Sequence, residues 1–350
     1  MHVPDGFINA PVSAVTGVVA AGAIAVSLKG ARRELDEKTA PLAGLVAAFI
    51  FAVQMLNFPV AAGTSGHLLG GALAAILVGP YTGVLCVSVV LLMQGILFAD
   101  GGLTALGVNI TDMAIVTTVV AYAVFRGLVK VLPRGRRSIT AAAFVSALLS
   151  VPAAAVAFTL IYAVGGTTDV SIDKVATAMV GVHILIGLGE AAITALTVGA
   201  VIAVRPDLVY GARGLTQQLK LRVNGELVDA PTAVPVPVAA RTSHRRLWIT
   251  GLVASLVLAG FVSFYASASP DGLEKVAEDQ GIAKAAKEHD AADSPLADYG
   301  VKDVSNARIS GGLAGVIGVG VTVVAGTGVF WAVRRRRTAD APEVSRSQVA

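Results

Sequence analysis

Long apolar segments recur along the whole chain and restrict the kinds of fold it can adopt. Eight of them are long enough to cross a hydrocarbon core of about 30 Å as helices, and a shorter one follows His67. The segments are residues 8–28, 41–57, 67–78, 83–99, 104–129, 139–164, 174–204, 247–267 and 311–333. Charged residues make up only 14% of the chain, against about 25% in soluble domains. The sequence therefore predicts an all-α polytopic protein of the cell membrane, in contact with the lipid bilayer.

A polar stretch divides the apolar segments into two groups. Residues 1–204 predict a seven-helix bundle, and residues 247–337 predict a hairpin of two spans. Between them, residues 205–246 become polar and then rich in Pro, Ala and Val, a composition typical of an extended cytoplasmic linker. Residues 338–350 predict a disordered tail.

Lys and Arg residues follow alternate apolar segments, namely the first, fifth, seventh and ninth. They are Lys29, Arg32, Arg33, Arg126, Lys130, Arg134, Arg136, Arg137, Arg205, Arg213 and Arg334–Arg337. Because short cytoplasmic loops are enriched in these residues, the pattern predicts that the N-terminus is outside. The same flanks account for the net charge of +4, so no nucleic-acid partner is predicted. No basic region precedes the first apolar segment, which is unlike a cleavable signal peptide.

An acidic segment, residues 270–308, lies between the last two spans and is therefore expected outside. Asp271 and Glu274 have the spacing of a capping box, which predicts a helix that continues to about Glu288. Two interpretations remain open. The helix is either a solvated surface element, or its carboxylates collect cations or contact the N-terminal residues.

The first two residues can chelate a divalent ion. The Met1 amine, the deprotonated backbone nitrogen of His2 and the His2 imidazole would close two fused rings on one ion and leave one position of a square unfilled. Nitrogen donors in a plane suit Ni(II) or Cu(II). Metal binding through such a chelate displaces protons, so acid should weaken it. The alternative is that His2 is an ordinary terminal residue.

His67 can supply the fourth nitrogen. It follows a Pro/Gly/Ser-rich break, residues 57–66, that the predicted topology places outside with Met1. The sequence predicts that His67 opens the third helix, that Thr64 or Ser65 caps this helix, and that nearby glycines allow close approach. The predicted metal ligands are Met1, His2 and His67. The alternative, which His67 taken alone favours, is an ordinary hydrogen-bonded residue.

Three further ionisable residues, Asp112, His183 and Glu190, lie within apolar segments. Such residues are candidates for function, and His183 and Glu190 are seven residues apart on one helical face. They could set helix packing, support the metal site from behind, line an exit path, or serve a membrane enzyme. No HExxH helix or other catalytic motif supports the enzyme interpretation.

Several short motifs resemble one family. Met1–Phe7, Asn57–Pro59 and Gly63–His67 are similar to the substrate-binding membrane component of energy-coupling factor transporters for nickel and cobalt, over about residues 1–205. Pro270–Glu274 is similar to the small two-span companion subunit of those systems, here fused to the C-terminus.

The resemblance implies a function in metal import. A chain of this family captures Ni(II) or Co(II) as transported substrate through Met1, His2 and the histidine matching His67. It works with a transmembrane coupling subunit and two cytoplasmic ATPase subunits. This chain has no Gly-x-x-x-x-Gly-Lys-Ser/Thr phosphate loop, so ATP hydrolysis is expected from those partners and the chain is not expected to be an enzyme. Asp5 and the fused hairpin favour nickel, whereas the donor set accepts both ions. A vitamin-binding component of similar architecture is the other transport alternative.

Overall fold

The structure, a computed structural model, describes residues 1–35, 39–61, 63–213, 220–223, 226–229 and 244–339. The helices are α1 (Ala10–Glu34), α2 (Thr39–Gln54), α3 (Gly71–Val78), α4 (Pro80–Leu97), α5 (Leu106–Asn109), α6 (Thr117–Val131), α7 (Arg136–Gly165), α8 (Ile172–Val204), α9 (His244–Gly260), α10 (Gly272–Gln280) and α11 (Ala307–Ala339). A π-helix, Ile110–Val116, joins α5 to α6. Two antiparallel strand pairs complete the regular structure: β1 (Phe58–Ala61) with β2 (Thr64–Gly66), and β3 (Lys220–Val223) with β4 (Glu226–Asp229).

All nine predicted apolar segments are helical, which confirms an all-α polytopic membrane protein. Within the described ranges, seven helical stretches are long and apolar enough to cross a membrane. The other two apolar segments form α2, with 16 residues, and α3, with 8 residues. At a rise of about 1.5 Å per residue, α3 alone is too short to span the bilayer.

The third helix does not begin as the sequence predicted. His67 precedes α3 instead of opening it, and Thr64 and Ser65 lie in β2 instead of capping the helix. The N-cap is Gly70, with φ +90° and no side-chain cap. Only glycine adopts this backbone conformation readily, so it sets the boundary between the loop that carries His67 and the helix.

The loops gather at two opposite ends of the helices. At one end, which we call the tail end, the N-terminal residues meet the loops after β1, α4 and α7 and the segment between α9 and α11. Examples are the hydrogen bonds from the Gly102 amide to the Val3 carbonyl (2.9 Å) and from the Asp298 amide to the Phe98 carbonyl (2.9 Å). At the other end, Glu34 accepts hydrogen bonds from the amide of Thr82, 2.7 Å away, and from that of Tyr81.

The C-terminal helices pack directly on the N-terminal bundle through small residues. An ideal Cβ on Gly44 of α2 would lie 2.9 Å from the Thr327 nitrogen of α11, and one on Gly251 of α9 would lie 2.7 Å from Leu45. Small residues allow such close approach between helices in a membrane. The two groups of helices therefore form one packed body at this interface.

The predicted linker and tail are described only in part. Pro206–Leu208 and Tyr210–Ala212 form short 3-10 turns, and Leu208, Val209 and Ala212 are buried. Residues 230–243, which include the Pro-rich part of the linker, and residues 340–350 of the predicted tail lie outside the described residues.

The helix predicted in the acidic segment is α10, and its capping box is present. Asp271 accepts the amide of Glu274, and Glu274 accepts the amide of Asp271. The predicted end at about Glu288 was wrong, because Gly281 ends the helix in the left-handed conformation with φ +78°.

Candidate metal centre

Residues 1–9 form a tail that runs into the bundle and is held by its main chain. The Val3 amide donates to Asn109 Oδ1 at 2.7 Å, and the Asn109 side-chain amide donates to the Val3 carbonyl at 3.2 Å. Met1 and Val3 are both buried. These bonds place the two residues before Val3 at a defined position inside the protein.

The Met1 amine lies between two side chains that are remote in sequence. Its nitrogen is 2.7 Å from His67 Nε2 and forms an ion pair with Asp271. Asp271 Oδ2 also lies 3.5 Å from His67 Nε2. The structure thus brings together Met1 and His67, two of the three residues predicted as ligands.

The hydrogen bonding of His67 leaves one ring nitrogen available as a donor to a metal ion. Nδ1 is 3.0 Å from the Leu68 carbonyl oxygen, which can only accept, so Nδ1 carries the ring proton and Nε2 keeps its lone pair. Metal-binding histidines are commonly oriented in this way. Two nitrogens at right angles on one ion, each about 2.0 Å from it, would be about 2.8 Å apart, close to the 2.7 Å between Met1 N and His67 Nε2.

His2 completes the predicted set and points to the same place. Its ring centroid is 5.2 Å from that of His67. The Nδ1 atom, which the chelate would use, is buried and has no hydrogen-bond partner among the residues that the structure describes, although Asp100 Oδ1 lies 3.3 Å away. Burial, helped by the nearby Met1 amine and His67, lowers the pKa of His2 to about 4 despite the opposing carboxylate of Asp100. The His2 imidazole is therefore neutral and able to donate at physiological pH.

Asp271 is the site residue that sequence reasoning did not assign. Its Oδ1 accepts the Glu274 amide at 2.8 Å in the capping box, while Oδ2 faces Met1 and His67. Burial opposes ionisation of Asp271, but the Met1 amine and His67 outweigh it and hold the pKa of this carboxyl well below its usual value. The capping box marked Asp271 as structured, and of the two open interpretations the structure shows the contact with the N-terminal residues.

A cavity of about 490 Å³ lies between the bundle and the C-terminal helices and reaches the predicted ligands. His2, His67 and Asp271 line it, together with Asp100 and Glu274. Its volume can accommodate a hydrated divalent ion, and its carboxylates give it a negative lining.

The three ionisable residues inside the helices have separate surroundings. Glu190 accepts two main-chain amides, those of Leu69 and Gly70. His183 Nδ1 is 2.7 Å from the Met179 carbonyl. In the described part of the chain, neither His183 Nε2 nor the two buried carboxylate oxygens of Asp112 have a hydrogen-bond partner. Among the described residues no hydrogen bond joins these three side chains.

Side chains alone do not make a metal site in the described parts of the chain. No group of three or more His, Cys, Asp or Glu residues there has the geometry to hold a metal ion. The candidate centre differs because two of its proposed donors are main-chain nitrogens, the amine of Met1 and the amide of His2.

Comparison with known proteins shows the family to which the chain belongs. Residues 2–208 match the family described as the cobalt uptake substrate-specific transmembrane region, CbiM. The chain belongs to the CbiM family. Residues 245–335 of this CbiM-family chain also match the PDGLE domain. The CbiM-family assignment makes the chain a transport component rather than an enzyme.

Individual relatives extend over either the first part or all of this CbiM-family chain. The fused nickel transport protein NikMN of Rhodobacter capsulatus is 31% identical, over 95% of this chain and 98% of that protein. A putative metal transport protein of Haloquadratum walsbyi is 39% identical, over 60% of this chain and 94% of that protein. The crystal structure of a transition metal transporter, 27% identical, superposes with a TM-score of 0.52 over 58% of this chain and 93% of that chain.

Proposed function

We propose that the chain captures Ni(II) or Co(II) outside the cell and delivers it inward as the substrate-specificity subunit of an ATP-driven energy-coupling factor importer. Relatives named for nickel or cobalt transport support the choice of ion. The observation that carries the proposal is the position of the Met1 amine, 2.7 Å from His67 Nε2, with the His2 ring centroid 5.2 Å from that of His67. None of these contacts favours a vitamin as the substrate.

The proposed ligands are four nitrogens: the Met1 amine, the His2 amide nitrogen, His2 Nδ1 and His67 Nε2. The His2 imidazole is already neutral, and the His67 tautomer already presents its lone pair. Binding then requires a proton to leave the Met1 amine and another to leave the His2 amide. The Met1 contact with Asp271 must give way to the ion.

The proposed orientation places the tail end outside. Basic residues lie at the opposite end, where Arg136 donates to the Ile202 carbonyl at 3.0 Å and Arg205 pairs with Asp207. Enrichment of Lys and Arg on the cytoplasmic side of membrane proteins supports this orientation.

The proposed division places residues 1–204 in the metal-binding bundle and residues 247–337 in the companion module, joined by the linker at 205–246. Because the chain has no phosphate loop, we assign ATP hydrolysis to two cytoplasmic ATPase subunits and energy coupling to a separate transmembrane subunit. Movement driven by those subunits would release the ion inward.

Calorimetry of the purified full-length chain with NiCl₂ and CoCl₂ tests the proposal. An N-formyl group on Met1 should abolish tight binding, because it turns the amine into an amide and so removes this donor from the chelate. His244→Ala, at the linker end of α9, removes an imidazole elsewhere and should bind like the unaltered chain. Tight binding by the formylated chain would contradict the proposed ligand set.

A further inference from the structure

Glu190 lies in the membrane-spanning helix α8 and is fully buried. No ion pair is found for it in the described part of the chain. Its two oxygens instead accept the Leu69 amide at 2.5 Å and the Gly70 amide at 3.0 Å. A buried carboxylate that accepts two main-chain amides makes strong hydrogen bonds.

These two amides occupy a special place in the chain. They immediately precede α3, whose N-cap, Gly70, offers no side-chain acceptor. Free amides at a helix start need a partner when they are buried. Glu190 therefore acts as a helix cap supplied by a different helix, and it fixes the turn between His67 and α3.

The same face of α8 supports the residue on the other side of His67. An ideal Cβ on Gly66 would lie 2.6 Å from Ile186 Cγ1, so Gly66 packs tightly against Ile186. Ile186 and Glu190 are four residues apart and share one face of the helix. Contacts with α8 thus hold the turn that carries His67 on both sides, at Gly66 before the histidine and at Leu69 and Gly70 after it.

We infer that Glu190 is a positioning residue for the metal site, and that it acts by holding His67 Nε2 at the point where the Met1 amine and His2 converge. The inference rests on the proposed function, because it concerns the fourth nitrogen of the same site. Residues that orient a metal ligand typically contribute about 10-fold to 100-fold to affinity.

The test compares NiCl₂ binding by full-length variants in detergent. Glu190→Ala removes both acceptors and should weaken binding by about 10-fold to 100-fold. Glu190→Gln keeps one carbonyl oxygen and nearly the same shape, so its loss should be smaller. Thr194→Ala is the matched control: Thr194 lies one turn further along α8, and its buried hydroxyl has no hydrogen-bond partner within the described ranges. The Ni(II) affinity of Thr194→Ala should stay within about twofold of that of the unaltered chain, well below the tenfold loss expected for Glu190→Ala.

A double-mutant cycle separates positioning of His67 from a general effect on stability. His67→Ala keeps the three-nitrogen chelate of Met1 and His2, so it should bind Ni(II) weakly but measurably. If Glu190 acts through His67, Glu190→Ala should cause no further loss in the His67→Ala background. The visible spectrum of bound Ni(II) should also shift in Glu190→Ala toward that of His67→Ala.

Two results would overturn the inference. One is unaltered affinity in both Glu190 variants, and the other is an equal loss from Glu190→Ala with and without His67. Should Glu190→Ala fail to fold, the same comparison with the nearly isosteric Glu190→Gln decides. Failure of the proposed function is a different result, since the unaltered chain itself would then show no tight Ni(II) binding.

Discussion

Proton release provides a quantitative check on the donor set. Displacement of one proton from the Met1 amine and one from the His2 amide predicts two protons released per ion. The His2 imidazole adds none, because burial lowers its pKa to about 4. His67→Ala keeps the chelate of Met1 and His2, so this variant gives the proton count for these two residues alone. The apparent association constant should therefore rise about 100-fold per pH unit, or about 2.7 kcal/mol, wherever the free amine is protonated.

The environment of His2 decides the expected slope. At its ordinary pKa of about 6.5, His2 would be protonated at pH 5.5 and would release a third proton on binding. Calorimetry between pH 5.5 and 7, in buffers of different ionisation enthalpy, gives the proton count and the affinity together. In His67→Ala, a count of one would show that the His2 amide keeps its proton, and a count of three at pH 5.5 would show that the His2 imidazole is not shielded. Either count would contradict the proposed donor set.

Two other predictions concern the supports of the site. Gly66→Ala should weaken Ni(II) binding at least tenfold, because the new Cβ would lie 2.6 Å from Ile186 Cγ1. Adding Ile186→Ala to the same chain removes this clash and should restore the affinity measured by calorimetry. If the affinity is not restored, the clash is not the cause of the loss. The metal-free protein should lose stability as the pH falls from about 6.5 to 4, because only the unfolded state takes up a proton on His2; this loss amounts to at most about 3 kcal/mol. Thermal unfolding of His2→Gln, compared with the unaltered chain over this range, should show a smaller dependence on pH, and an equal dependence would assign the effect to other groups.

Much of the fold could be predicted because membrane helices have a local signal. Each apolar segment encodes its own helix through length and composition, and the capping box of Asp271 and Glu274 is a pattern four residues long. The convergence of Met1 and His67 also followed from the sequence, since the alternation of basic loops placed both on one side.

The supports of the site could not be predicted because they join distant positions. Glu190 bonds to amides 120 and 121 residues earlier, and Asp271 contacts an amine 270 residues away. No local periodicity encodes such pairs. The capping-box pattern predicted the hydrogen bond that Asp271 Oδ1 accepts, but it gave no information about the contacts of Oδ2 with Met1 and His67. The start of α3 was misplaced for a related reason, since its capping acceptor comes from α8 rather than from the neighbouring Thr64 or Ser65.

The ion pair between the Met1 amine and Asp271 affects the electrostatic free energy of binding a divalent ion at this site. Before metal arrives, one ammonium and one carboxylate cancel. With a divalent ion bound, its two positive charges would be balanced by the ionised His2 amide and the same carboxylate, while the Met1 amine would be neutral. The ion, the Met1 amine, the His2 amide and Asp271 together would therefore carry the same net charge before and after binding, while the carboxylate of Asp100 stays 3.3 Å from His2 Nδ1. The fused C-terminal module would supply Asp271, the negative charge that balances this exchange in a medium of low dielectric constant.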